Sequence, residues 1–376
     1  MVYLDHAATA PVSQAVAQAV CESLTENFGN PSSQYAPGRR AAQQLEQDRA
    51  VIAEALGCRP QRLFFTSCGS EGDNWAICCA LWQNRHKGRH IITTAVEHSA
   101  VLETCRQLQR QGYEVTYLSP DRRGHITVQQ VADALREDTA LVSMMLVNNE
   151  TGNLYPVADV GQLLRQRHST ALLHCDAVQA FLEIPFSAES LGADFITISG
   201  HKIGAPKGIG ALYITDRLSQ PQPLIFGGGQ EQGLRSGTEA TAQIAGFARA
   251  AALRHASAAE DQEHMRTIQS YAQEQLNTLG AIMLGSADAP HILAFSLPGY
   301  PSQNVITELS SQEIFLSAGS ACHKGQPSHV FKAMGLDKKI AAGALRISFG
   351  PETSKGDIDQ LCQALQAHLR QRFPML

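Results

Sequence analysis

Lys202 closes the segment Ser199-Gly200-His201-Lys202, directly after the apolar run Phe195-Ile196-Thr197-Ile198 and before the glycine-rich Ile203-Gly204-Ala205-Pro206-Lys207-Gly208. A lysine at the end of a strand, among small residues, is placed to form a Schiff base that exchanges with an incoming amine. Taken alone it reads as a solvated loop lysine, because most lysines lie on the surface. Its companions change that reading. Asp176 ends the run Leu172-Leu173-His174-Cys175 and offers the carboxylate that keeps a pyridine nitrogen protonated, the plain alternative being a helix N-cap. Gly69-Ser70 follows Leu63-Phe64-Phe65-Thr66 and precedes a helix expected over Asn74 to Leu81, so its N–H groups and the Ser70 hydroxyl can hold a phosphate. His98 could stack on a ring face, Gln179 and Asn149 could hydrogen-bond a phenolic oxygen, and His201 could hold the phosphate or the lysine. An amine, a carboxylate and a phosphate elbow together describe a site for pyridoxal 5′-phosphate.

A second centre is Ser317-Ala318-Gly319-Ser320-Ala321-Cys322-His323-Lys324-Gly325, a run of small residues with one cysteine beside two side chains that can be cationic. Such surroundings favour the thiolate. Close by in sequence, Arg346 stands in the apolar run Ala344-Leu345-Arg346-Ile347-Ser348-Phe349. An arginine there must be paired, and a substrate carboxylate is a good bidentate partner, with a structural ion pair as the alternative.

The elements that position these residues follow one grammar from about residue 60 to 215: a short apolar run, a polar or glycine-rich elbow, then a helical stretch. This is an α/β pattern. The runs ending at Thr66, Thr94, Val147, Cys175 and Ile198 are each followed by reactive side chains. In open α/β sheets ligands sit outside the carboxyl ends of the strands, so these five elbows should converge on one crevice. Residues near 240 to 280 read as helices, one of them interdomain. After about 290 strands are expected at His291 to Ser296 and Ala344 to Phe349, with a final helix over Lys355 to Arg372. The pattern predicts a large, mainly parallel α/β domain over 12–255 and a smaller α+β domain of 1–11 plus 256–376, which carries the cysteine segment.

Composition agrees with an ordinary globular protein. The 376 residues are 44% hydrophobic and 17% charged, with a formal net charge of -5, and the basic residues are scattered. Neither direct nucleic-acid binding nor attraction to anionic lipid is expected. There is no apolar run of membrane-spanning length and no leader pattern at the start, so the cytoplasm is the expected location. Nine cysteines without a CxxC pair suggest neither a disulfide framework nor a metal site, and eight read as plain thiols.

Together these segments resemble the cysteine desulfurases of the NifS/IscS type, within the fold-type I, aspartate aminotransferase-like enzymes of the class V aminotransferase family. The resemblance extends through Tyr3-Leu4-Asp5-His6-Ala7-Ala8-Thr9, Phe28-Gly29-Asn30-Pro31-Ser32-Ser33, Phe65-Thr66-Ser67-Cys68-Gly69-Ser70-Glu71, Glu97-His98, Val147-Asn148-Asn149-Glu150-Thr151-Gly152, His174-Cys175-Asp176-Ala177-Val178-Gln179, the lysine segment, Arg235-Ser236-Gly237-Thr238 and the cysteine segment. It implies a homodimer that converts L-cysteine to L-alanine and keeps the sulfur on Cys322 as a persulfide. It also implies that Lys202 holds the cofactor, Asp176 its ring nitrogen and His98 its ring face, with Gln179 and Asn149 at the phenolic oxygen. Gly69, Ser70, Ser199 and His201 would hold the phosphate, joined by Thr238 from the partner subunit, while Arg346 and Asn149 bind the substrate carboxylate. His98 would serve as acid or base for thiol protons. The sulfur would pass to an acceptor or scaffold protein for iron–sulfur cluster assembly, tRNA thiolation or DNA phosphorothioation.

Three departures from the family pattern stand out. Only four residues separate Cys322 from Pro327, a spacing that predicts a less mobile cysteine than in the cluster-assembly members. Gly72 stands where the family commonly has serine. The chain ends soon after its last helix, so a C-terminal docking extension is not expected. The competing readings are a selenocysteine lyase or another class V enzyme, and a sulfur carrier without catalysis.

Overall fold

The computed structural model describes residues 1–318 and 328–371. A two-residue strand, β1 (Val2–Tyr3), opens the chain. Seven strands then build the large sheet: β2 (Leu63–Thr66), β3 (His90–Thr94), β4 (Glu114–Leu118), β5 (Thr139–Met145), β6 (Leu172–Asp176), β7 (Phe195–Ser199) and β8 (Gly210–Ile214). Their order across the sheet is β2-β8-β7-β6-β5-β3-β4. Only β8 runs against its neighbours, so all five sequence elbows leave the same edge. The expected α/β class, with a mainly parallel sheet, is what the chain forms.

Successive strand residues point to opposite faces, and both faces are apolar. Phe64, Ile91, Leu141, Leu172, Phe195 and Leu212 join one core with Trp75 and Val101. The adjacent residue on each strand, Phe65, Ile92, Val142, Leu173, Ile196 and Ala211, joins the other with Ile52, Val160 and Phe247. Helices therefore cover both sides, as a parallel sheet requires. The helix Ala36–Leu56 is typical of them: Pro37 lies in its first turn, and Gly57 ends it with a left-handed φ of 67°, a conformation glycine adopts without steric penalty.

The remaining strands are β9 (Ile282–Leu284), β10 (Ile292–Ser296), β11 (Ile314–Phe315) and β12 (Ala344–Ser348). The order β12-β10-β9 makes a three-stranded antiparallel sheet, and β1 pairs in parallel with β11. This part has its own core, in which Val2 and Leu4 pack with Leu293, Phe295, Leu345, Ile347, Leu361 and Leu365. The N-terminal segment thus joins it, as the sequence suggested.

Two helices differ from the sequence reading. The stretch 240 to 280 is one helix, Thr241–Thr278, whose first half feeds the large core through Ile244 and Phe247 and whose second half feeds the small one through Met265 and Leu276. The helix expected to begin at Asn74 begins at Gly69 and runs to Gln83, because Gly69 and Ser70 take helical geometry themselves. The last helix is Lys355–Gln371, and Arg372 lies outside the described residues.

Candidate active site

At the carboxyl edge of the large sheet lies a cavity of about 350 Å³ lined by residues from all five elbows. Gly69, Ser70, His98, Asn149, Asp176, Gln179, Ser199, His201, Lys202 and Arg346 all face it. Thr238 does not; it is exposed beyond the glycine run Gly227–Gly229. Cys322 lies outside the described residues.

Lys202 sits in a single 3-10 turn, Gly200–Lys202, directly after β7. Its Nζ donates to the carbonyls of Ala7 at 2.7 Å and Ala8 at 3.0 Å. Gln179 Nε2 donates to the same Ala7 carbonyl at 2.9 Å, and the Ala10 amide donates to the His201 carbonyl at 2.9 Å. The segment from Asp5 to Ala10 is therefore laid over the lysine elbow and holds the amine in place. Burial, with Lys202 and Lys207 nearby, pushes the His201 imidazole down to about 4.

Asp176 ends β6 with its carboxyl buried, and Oδ1 accepts from the Val178 amide at 2.9 Å. It does not cap a helix. Burial and the neighbouring Asp73 push it up to about 7, opposed by His98. His98 is itself the N-cap of the helix Ser99–Arg110, its Nδ1 accepting from the Ala100 amide at 3.2 Å. That bond leaves the ring proton on Nε2. Burial lowers its pKa, so at neutral pH the ring is neutral with an N–H to offer.

Arg346 is paired, as an arginine in an apolar strand must be. Nη2 donates to Asp5 Oδ1 at 2.7 Å and Nη1 to the Asn149 carbonyl at 2.6 Å, while Nε is buried without a partner among the described residues. Of the two partners raised by the sequence, the structure shows the ion pair, with Asp5.

Several residues at the site were not singled out by sequence reasoning. Glu97 is fully buried, accepts from Thr94 Oγ1 at 2.7 Å and the Met145 amide at 2.9 Å, and is pushed up to about 8 by burial. Its carbonyl accepts from His329 Nε2 at 2.9 Å, and His329 also lines the cavity. Glu150, pushed up to about 7 by burial, accepts from Ser328 Oγ, which in turn caps the helix His329–Ala333. On the other side of the cysteine segment, Ser317 exchanges backbone hydrogen bonds with Arg346 at 3.2 and 2.7 Å. Each of these is an ordinary acidic or polar residue in sequence, and only the packing distinguishes it.

The donor set fits a phosphate-bearing pyridine aldehyde. Ser199 Oγ is buried and without a partner among the described residues at the end of β7, beside the N-terminus of the helix that starts at Gly69. A Cβ on Gly69 would come within 2.8 Å of Val178 Cγ2, so only glycine lets that helix end approach this closely. Asp176 is a buried carboxyl without a lysine or arginine partner among the described residues, which a ring nitrogen carrying a proton would satisfy.

Comparisons with known proteins agree with this geometry. The family model described as Aminotransferase class-V matches residues 2–361. A cysteine desulfurase IscS of Azotobacter vinelandii is 40% identical over 387 residues, covering 100% of this chain and 95% of its own. Of solved structures, a NifS-like protein superposes with a TM-score of 0.93 at 36% identity, covering 99% of this chain and 100% of that one. SspA in complex with cysteine gives 0.80 at 34% identity, covering 94% and 100%.

Proposed function

The chain belongs to the class-V aminotransferases, and from that membership and the site we infer that it is a pyridoxal-phosphate-dependent cysteine desulfurase. The observation that carries this reading is the meeting of Lys202, Asp176, His98, Gln179 and Arg346 in one cavity, supported by relatives named as cysteine desulfurases and by a similar structure with cysteine bound. Bound pyridoxal phosphate supplies an aldehyde for an amine and a protonated ring that takes up electrons from the substrate Cα.

The chain's own residues do the rest. Asp176 would hold the ring-nitrogen proton, Gln179 and Asn149 the phenolic oxygen, and His98 the ring face. Gly69, Ser70, Ser199 and His201 would hold the phosphate. Lys202 would anchor the cofactor and, once displaced by substrate, carry the Cα proton, its Nζ aimed by the Ala7 and Ala8 carbonyls. Arg346 would take the substrate carboxylate, with Asn149 beside it. Cys322 as thiolate attacks the substrate sulfur: an S–S bond forms and the Cβ–S bond breaks. The carbon is protonated to alanine, and the sulfur stays on the enzyme as a persulfide. With Nδ1 occupied by the Ala100 amide, His98 exchanges thiol protons through Nε2 alone.

The division of labour follows two domains, 12–255 for the cofactor and 1–11 plus 256–376 for the cysteine segment. Exposed Thr238 and the 78% exposed Phe226 support a homodimer in which Thr238 reaches the partner's phosphate. The persulfide then goes to an acceptor or scaffold protein. Among the described residues no helix is long and apolar enough to cross a membrane.

The test is a single turnover with L-cysteine, measuring alanine and locating sulfur by peptide mass spectrometry. Wild type should yield alanine and a persulfide on Cys322, and Cys322→Ser should keep the cofactor absorbance but form no persulfide. A protein that binds pyridoxal phosphate yet gives no alanine from cysteine refutes the reading.

A further inference from the structure

Asp73 is a buried carboxyl that the proposed reaction leaves unused. It projects from the second turn of the helix Gly69–Gln83, is 1% exposed, and lines the cavity. Its Oδ1 accepts no hydrogen bond among the described residues. The nearest ring nitrogen is Nε2 of His174 at 3.4 Å. That imidazole is held between hydroxyls, Ser143 Oγ at 2.8 Å on Nδ1 and Thr197 Oγ1 at 3.1 Å on Nε2. Burial pushes it down to about 4, so at neutral pH it is no counter-charge.

His174 and Asp176 alternate with Cys175 on β6 and therefore face the same side of the sheet. Asp73 and Asp176 feel each other's charge, and the third acid in reach is Glu97, which both of them disfavour as an anion. From β7, Thr197 presents a hydroxyl. Among the described residues no lysine or arginine forms an ion pair with Asp73 or Asp176. Two buried carboxyls lining one cavity do not both ionise without a large penalty, so the pair shares a proton. The donors break the tie. Asp176 has the fixed Val178 amide on Oδ1, which favours an anion, whereas Asp73 has one oxygen that no donor reaches among the described residues and otherwise only the Thr197 hydroxyl, which can accept from a protonated acid as well as donate.

We propose that Asp73 is a positioning residue that holds the proton of this pair, so that the negative charge stays on Asp176, the carboxylate assigned above to the cofactor ring nitrogen. The inference rests on that assignment. Burial pushes both carboxyls up, Asp73 and Asp176 alike to about 7, so it accounts for a shared proton and the donors decide where the proton sits.

The experiment is an infrared difference spectrum of holoprotein at neutral pH, wild type minus Asp73→Asn. The expected difference is loss of a protonated carboxylic-acid carbonyl band with no loss of carboxylate. Asn mimics the neutral acid, so the visible absorbance of the bound cofactor should be unchanged and its dissociation constant should stay within about threefold. A lost carboxylate band, or an absorbance showing that the ring nitrogen has lost its proton, makes Asp73 the anion and overturns the proposal. A purely structural role would leave the carbonyl band unassigned to Asp73. Asp73→Ser, smaller and still a hydroxyl, carries the same readouts if Asn is not accommodated. Failure to bind pyridoxal phosphate would strike at the proposed function instead, and the same spectrum on apoprotein would still report where the Asp73 proton is.

Discussion

The structure supplies a steric reason for glycine at position 72, which can be tested by adding a side chain. A Cβ on Gly72 would lie 2.7 Å from Cγ2 of Thr197 and 3.2 Å from its Oγ1, whereas carbon atoms pack at about 3.5–4.0 Å. Thr197 cannot turn away. It is fully buried in β7, its hydroxyl is 3.1 Å from His174 Nε2, and a β-branched side chain is stiff about χ1. The start of the helix Gly69–Gln83 must therefore lift by up to about 1 Å. Overpacking of this kind costs about 1–3 kcal/mol, against roughly 1 kcal/mol gained by alanine over glycine in a helix interior. Gly72→Ala alone should thus lower stability by up to about 2 kcal/mol, and the coupling with Thr197 is the sharper quantity. Thr197→Ser removes the clashing methyl and keeps the hydroxyl. On that background Gly72→Ala should be stabilising, which sets the coupling at about 1–3 kcal/mol. Urea unfolding of the four proteins gives the cycle, and cofactor absorbance reports whether the lifted helix end loosens its hold on pyridoxal phosphate. Additivity of the two substitutions within about 0.5 kcal/mol would refute the steric argument.

Two further outcomes follow from buried charge. Arg49 and Glu231 form a bidentate pair at 2.7 and 2.8 Å, with side chains only 5% and 2% exposed, and Glu231 also accepts from the Phe65 amide. Arg49→Met strands that carboxylate and should cost about 3–5 kcal/mol, whereas adding Glu231→Leu should recover part of the loss; equal unfolding midpoints for wild type and Arg49→Met would exclude a stabilising pair. Glu97 has a pKa near 8 in the folded chain, far above its ordinary 4.5. Its protonated form contributes stability that is complete below the ordinary value and lost as pH rises through about 8, at up to about 1.4 kcal/mol per pH unit. Glu97→Gln should flatten part of the decline in apoprotein stability over that range, and an unchanged slope would mean that Glu97 is already ionised.

What the sequence reveals of this molecule is set by how local each determinant is. The five elbows are legible because a strand, its turn and the reactive residue after it are contiguous, and parallel pairing then brings them to one edge. Lys202, Asp176 and His98 stand out through that placement taken together with one another and with the family resemblance. The contacts that refine them are not local: the Ala7 and Ala8 carbonyls reach Lys202 from 195 and 194 residues away, and as backbone groups they have no residue type to betray them. Asp73 is hidden for another reason. In the first turns of a helix an aspartate reads as a favourable charge against the helix dipole, and nothing in the letters shows that this one points inward. Its burial follows from Gly72, which lets the helix settle on Thr197, so that a missing side chain at one position puts a carboxyl beside Asp176 at the next. The glycine and the acid are then one feature of the site. Any substitution that pushes the helix away from β7 should move the proton balance of the two carboxyls as well as the grip on the phosphate.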